Sequence, residues 1–496
     1  MDPTARPSLS PSRSSGARDV LLLRDADYVL TLDPDRRILR HHSVLIDDGV
    51  IRDLGPVADM DARHLNACRN HGTVVEASRR LVLPGYVNTH VHTFEHLSRG
   101  LIPDDLSTFA WAVTYARPFY AALTEEEAYV AARLACLDML RNGTTCFVDA
   151  NILVSLGHVD AVAQAVTESG MRAVLGRGVF DLMPQAMADA MPPELRSRVL
   201  FPSADAALRE VDALLGRWTR SADGRIRSWA TVYGLFPYCS DELFAGLRAI
   251  AHRHRTGMAF HISSSIEEAR GVEARVGTWP ITHLDQLGVL GPDLLLTHCT
   301  AVTDREVAIL AERGTKVAYC PGAALRLAKG TTKIGKIPEM LAAGVTVSLG
   351  ADGVSSSGSF DHARLMSLVA GLFKDARMDP SLIPAETALE MATLHGARAV
   401  LWDDTIGSVE IGKRADLTLY DLDGPEWVPS HDVVRNLVYS ADGRSVRTVL
   451  IDGRIVYDDG HASGIDAGKA IEEARAAGDG IARRIGLEPR TRWPVS

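Results

Sequence analysis

Leu83-Pro84-Gly85-Tyr86-Val87-Asn88-Thr89-His90-Val91-His92 sets the reading of the whole chain. An apolar run breaks at Pro84-Gly85, resumes as Tyr-Val, and ends in two histidines one residue apart. Side chains of a strand alternate faces, so His90 and His92 point the same way. Two imidazoles on one face at a strand end can chelate one divalent ion. A His-x-His pair in a chain with 17 histidines decides nothing alone. Its meaning depends on what ends the strands that follow.

From residue 83 to 404, eight apolar strand-like runs alternate with helical stretches. They are PGYVNTHVH (84–92), TTCFVDAN (144–151), MRAVLGRGVFD (171–181), IRSWATVYGLF (226–236), GMAFHISSS (257–265), LLLTHCT (294–300), KVAYCP (316–321) and VTVSLGADG (345–353). Thr124 and Glu127 form a capping box that opens one helix, which closes at Gly143. Thr303 and Glu306 open another, which ends at Gly314. Eight strand–helix units in roughly 320 residues predict an α/β fold, a (β/α)8 TIM-like barrel. A doubly wound dinucleotide-binding sheet would need a G-x-G-x-x-G after its first strand, and none is there.

The flanks have a different texture. Residues 19–82 and 405–460 read as short strands and turns with no long helix, with hairpin signals at Asp47-Asp48-Gly49 and Asp452-Gly453. Neither flank has enough apolar residues for its own core, so both are expected to fold together as a small composite β-sandwich. Residues 461–496 read as a C-terminal helical extension. The first 18 residues are rich in Pro, Ser and Arg without the apolar centre of a secretory signal, and are expected to be a disordered tail.

A net charge of −10 without a basic block argues against nucleic acid as a partner. No apolar segment approaches the roughly 18 residues of a membrane span. Six scattered cysteines with no CxxC pair argue against both a disulfide framework and a cysteine-rich zinc site. A cytoplasmic protein acting on a small molecule is expected.

Active sites of such barrels lie at the C-terminal rim of the strands. There the first run ends in His90 and His92, the fifth carries His261, the sixth His298 and the eighth Asp352. Imidazoles and a carboxylate suit zinc first, and ferrous iron second. A divalent ion lowers the pKa of a bound water toward neutrality and so supplies hydroxide for attack on an electron-poor carbon. Asp352 is then the candidate to accept the water proton, and His298 to polarise the substrate.

The motifs LPGYVNTHVH, LTHCTAVTDREVAILAERGTKVAYCP, PEMLAAGVTVSLGADG and ALEMATLHGARAV with IGSVEIGKRADLTLYD make the chain similar to the amidohydrolase superfamily. The similarity is to its branch of metal-dependent deaminases and chlorohydrolases acting on N-heterocycles. It covers about Asp19 to Asp459. It implies one metal ion held by His90, His92, His261 and Asp352, a catalytic His298 beside them, and a homo-oligomer.

Most members of that superfamily carry a glutamate three residues after the fifth-strand histidine, where it shuttles protons. Here that residue is Ser264. A serine cannot do a carboxylate's acid–base work near neutral pH, and loss of such a group costs about 10²–10⁴ in rate. Three readings follow: Glu95, His96 or Glu267 carries the proton; the leaving group is a halide or thiolate; or the protein binds a ligand without turnover. The expected reaction is hydrolysis of a C–N bond, as deamination of an aminated N-heterocycle or cleavage of an amide or urea. The segment LSTFAWAVTYARPFY (106–120) lacks the ribose-binding acid of nucleoside deaminases of this branch. It offers Phe109, Trp111, Tyr115 and Phe119 either to a flat substrate or to plain helix packing. Glu95, Trp111 and Ser264 are the expected substrate contacts.

Overall fold

The computed structural model describes residues 20–149, 154–183, 185–190, 193–218, 221–232, 238–490 and 492–493. The expected tail, residues 1–18, and the last residues of the second and fourth strand-like runs lie outside this set.

The central body is a parallel barrel. Its strands are Tyr86–Asn88, Thr144–Asp149, Arg172–Leu175, a fourth in two pieces (Ile226–Ser228 and Ala230–Thr231), Met258–Ile262, Leu294–His298, Lys316–Tyr319 and Val347–Leu349. The break at Trp229 divides the hydrogen bonding. Ile226–Ser228 pairs back onto the third strand, and Ala230–Thr231 pairs forward onto the fifth. The ring closes where Thr89 N–H donates to Leu349 O at 3.1 Å and Asp352 N–H donates to His90 O at 2.8 Å.

Parallel strands buried on both faces are expected to be mostly apolar, and the middles of these are. Alternate residues serve two cores. Val87, Cys146, Val148, Val174, Leu295 and Ala318 pack inward with Trp229, Trp402 and Val400. Phe147, Leu175, Phe260, Leu296 and Val317 pack outward under the helices. The inward cluster fills one end of the barrel and leaves polar side chains to the other.

Helix Glu125–Arg141 carries the complete Thr124–Glu127 capping box, and Asp304–Arg313 that of Thr303–Glu306. Gly143 and Gly314 follow with φ of 81° and 64°, a left-handed turn that favours glycine.

Strands from the two chain ends share one nine-stranded sheet. Its seam is Arg80–Pro84 against Leu417–Asp421, antiparallel from Pro84↔Leu417 to Arg80↔Asp421. The hairpins form at Asp47↔Val50 and Ile451↔Arg454, with Asp48, Gly49, Asp452 and Gly453 all at positive φ. One expectation fails in this region. Residues 57–71 form a continuous helical run, Val57–Met60, Asp61–Leu65 and Asn66–His71. Its buried contacts are Met60 and Cys68 alone, too sparse to produce a helical period in the sequence. Arg172 of the third barrel strand reaches this sheet, with Nε 2.6 Å from Asp416 Oδ2 and a second ion pair to Asp452. Helix Ala467–Ile485 returns to the barrel, where Arg484 pairs with Glu127 at 2.7 Å.

Candidate metal centre and active site

All five rim residues of the sequence reading meet at the open end of the barrel. His90 and His92 extend the first strand, and Val91 N–H holds them in line by donating to Val148 O at 2.9 Å. His261 lies within the fifth strand, His298 ends the sixth, and Asp352 follows the eighth. His90, His92, His298 and Asp352 are each no more than 5% exposed. His261 Nε2 lies 3.0 Å from His90 Nε2 and 3.2 Å from His92 Nε2. Asp352 Oδ1 is 3.2 Å from His92 Nε2 and 3.7 Å from His90 Nε2. Donors at about 2.0–2.1 Å from a tetrahedral ion stand roughly 3.3 Å apart, and these four separations fall around that value. Thr297 Oγ1, 3.2 Å from His90 Nδ1, fixes that ring's orientation from behind.

The electrostatics agree with the geometry. Burial holds His90 well below the ordinary histidine range, and its neighbours His92, His261, His298 and Lys329 push the same way. Burial also lowers His92. His298 is held well below by burial, then by Lys329, His261 and His92. These are neutral imidazoles at neutral pH, the form that binds a metal or accepts a proton. His298 Nε2 lies 3.8 Å from Asp352 Oδ2, and its ring stacks on that of His261 with centroids 5.3 Å apart. The backbone is strained at this rim: φ is +78° at His298, +62° at Asp352 and +50° at Ser263.

A pocket open to solvent lies above the cluster. Its walls include His92, Trp111, Arg117, Tyr120, Ser264 and Lys329, along with His261, His298 and Asp352. Trp111 and Tyr120 come from a helical run, Thr108–Ala110, Trp111–Ala116 and Arg117–Ala122, whose middle segment has the wider π-type turn common at functional sites. Of the aromatic residues in that run, Trp111 lines the pocket, Tyr115 and Phe119 are buried in the core, and Phe109 is exposed.

The proton-carrying candidates of the sequence fare differently. Glu95 is not a wall residue. Tyr120 lines the pocket and donates its hydroxyl to Glu95, and Ser355 N–H donates at 3.0 Å, so the carboxylate sits one side chain behind the wall. Burial, with the charge of Asp352 nearby, pushes Glu95 up to about 7. His96 is also off the pocket, bonded to Asp138 at 3.3 Å with its ring against Phe360. Glu267 is exposed to solvent. Its neighbour Glu268 turns inward, accepting from Ser263 N–H at 3.1 Å and Ser264 N–H at 2.8 Å, and burial raises it to about 7.

Two residues of this centre escaped the sequence reading, Glu268 and Lys329. Lys329 follows the short helix Pro321–Arg326, and its N–H bonds Ala324 O at 2.9 Å in a tight turn through Ala328 and Gly330, both at positive φ. Its Nζ lies 3.3 Å from His298 Nε2 and 3.4 Å from Nδ1. Burial lowers its pKa, against the pull of Asp352, Cys320, Glu268 and Glu95. The sole hint in the sequence was a charged residue directly after Leu327-Ala328, in a stretch otherwise suited to the interior.

The family model described as Amidohydrolase family matches residues 81–456. The chain belongs to the amidohydrolase family. This amidohydrolase is 36% identical over 467 residues to the 5-methylthioadenosine/S-adenosylhomocysteine deaminase of Syntrophobacter fumaroxidans, spanning 93% of this chain and 98% of the relative. It is 34% identical over 468 residues to the 5'-deoxyadenosine deaminase of Methanosarcina acetivorans, spanning 94% and 99%. The crystal structure of an adenosine deaminase from Xanthomonas campestris with bound zinc superposes with a TM-score of 0.80 at 30% identity, covering 93% of this chain and 98% of that one. No helix of the described residues is long and apolar enough to cross a membrane.

Proposed function

We propose that this amidohydrolase is a mononuclear metal-dependent hydrolase that removes an exocyclic amine from an N-heterocycle, with amides and ureas as the adjoining substrate class. One observation carries the reading: His261 lies within 3.0–3.2 Å of His90 and His92, and Asp352 within 3.2 Å of His92, below a pocket, in a chain 36% identical to a deaminase. His90, His92, His261 and Asp352 would hold the ion, zinc first and ferrous iron second. When bound, the ion supplies an activated water at neutral pH.

The chain's own residues do the rest. Asp352 accepts the water's proton at a carboxylate oxygen. Neutral His298 orients the attacking oxygen and the ring nitrogen at Nε2. Hydrolysis replaces the C–N bond by C–O, and the amine leaves as ammonia after taking a proton back from Asp352. With Ser264 in the wall, a hydroxyl bonds the leaving group where a carboxylate would protonate it, so both transfers fall to Asp352. Trp111 supplies an aromatic face, and Glu95 acts by holding Tyr120.

The same proposal includes the division into 19–82, 83–404, 405–460 and 461–496, with the nine-stranded sheet folding over as a small β-sandwich around Leu23, Val44, Leu417 and Leu450. It also includes a homo-oligomer in the cytoplasm.

The test is a product assay. Zinc-loaded protein is incubated with amino-, chloro- and thio-substituted heterocycles and with ureas. Ammonia or amine release is expected. Halide or sulfide release alone would move the chemistry to another leaving group, and tight binding without product would leave a binding protein.

A further inference from the structure

We propose that the pocket is built for an aminated planar heterocycle that bears a carboxylate beside the carbon losing its amine, and that Lys329 binds that carboxylate. The inference rests on the deaminase reading above and narrows its substrate.

The pocket walls are rich in donors and poor in free acceptors. Lys329 is 6% exposed, lines the pocket, and has His298 as its polar neighbour, with no carboxylate among the described residues at ion-pair distance. Nearly equal distances to both ring nitrogens leave its ammonium off the lone-pair direction of either one. That contact does not compensate a buried positive charge. Trp111 is 9% exposed, and its indole N–H has no acceptor among the described residues. Arg117, 4% exposed, adds a guanidinium to the same wall, with its charge over the Tyr238 ring at 4.8 Å.

Every nearby carboxylate is otherwise engaged. Asp352 belongs to the donor cluster. Glu95 is taken by Tyr120 and Ser355. Glu268 is bonded to the backbone N–H groups of Ser263 and Ser264. Ser264 puts a neutral hydroxyl into the wall. The ligand itself must then bring the anion.

Lys329 also fixes where that anion sits. Its Nζ is 3.3 Å from His298 Nε2, which is 3.8 Å from Asp352 Oδ2. A group bonded to Lys329 therefore lies next to the reacting carbon, not at the far side of the ring. The reaction needs no further reagent: water adds at that carbon, its C–N bond breaks, ammonia leaves, and the ring keeps the oxygen.

The experiment compares 4-aminopyrimidine-5-carboxylate with the neutral 4-aminopyrimidine-5-carboxamide, of nearly the same shape. The readout is the ratio of their kcat/KM values in zinc-loaded wild type, Lys329→Met and Lys329→Arg. Wild type is expected to prefer the carboxylate by about 10–100-fold, the range of a charge-assisted hydrogen bond. K329M should bring the ratio near one, and K329R should keep part of it. A wild-type ratio near one, or a ratio unchanged in K329M, overturns the role of Lys329 and leaves the deaminase reading standing. If neither compound turns over, the reaction class is decided by the product panel above. Calorimetric titration with pyrimidine-5-carboxylate then judges Lys329. Binding lost in K329M and kept in K329R supports the anion site, and binding absent in wild type or equal in all three proteins rejects it.

Discussion

A glutamate at position 264 would point a carboxylate into the wall that holds Lys329. Ser264→Glu is therefore expected to neutralise the lysine and to lower kcat/KM for a carboxylate-bearing substrate by about tenfold or more. A strong rise in turnover would instead mark the serine as a defect. Behind that wall, Glu268 couples stability to pH. Its folded pKa of about 7 lies above the usual 4.5, so the folded state binds more protons than the unfolded state between these values. The resulting stabilisation is complete below the unfolded pKa and is lost as pH rises through about 7. Relative to Glu268→Gln, the wild type should lose on the order of 3 kcal/mol between about pH 5 and about pH 8, read from urea midpoints of metal-free protein. His90, His92, His261, His298 and Asp352 were legible because each interrupts or ends an apolar run at a rim. Lys329 and Glu268 were not. A lysine or glutamate in a sequence reads as solvent-facing, and the turn that buries it depends on contacts far along the chain.

Among the elements, caps were readable and face assignments were not. Ser/Thr-x-x-Glu is a local hydrogen-bonding pattern, so Thr124 and Thr303 announced their helices correctly. Thr124→Ala removes the acceptor of Glu127 N–H at the start of Glu125–Arg141 and should cost about 1 kcal/mol. Chemical denaturation would measure it, with little change in metal content. The run from Thr108 to Ala122 shows the opposite case. Its aromatic spacing fitted core packing as well as a substrate wall, and both occur. The wide turn at Trp111–Ala116 rotates the register, sending Trp111 to the pocket and Tyr115 and Phe119 inward. A π-type turn has no sequence signature comparable to a cap. The helical run of residues 57–71 was missed for a related reason, since it buries almost nothing.

For the whole molecule, the eight-unit barrel followed from counting strand–helix alternations, and the shared end sheet from two flanks each too poor in apolar residues to stand alone. What holds that sheet to the barrel was not countable. Arg172 and Asp416 are both buried, and Asp416 also accepts from Asp452 N–H at 2.9 Å. Asp416→Ala leaves Arg172 short of compensation and should destabilise the protein by about 3 kcal/mol, seen as a fall in the thermal midpoint larger than that of T124A. The barrel closes by the hydrogen bond from Asp352 N–H to His90 O, between two members of the donor set 262 positions apart (352 − 90). During synthesis the first three-quarters of the chain must therefore wait, with His90, His92 and His261 already made, until residue 352 has left the ribosome. Under the proposed metal site the donor set is complete only once residue 352 is made, and a chain truncated before that point lacks both Asp352 and the closing hydrogen bond.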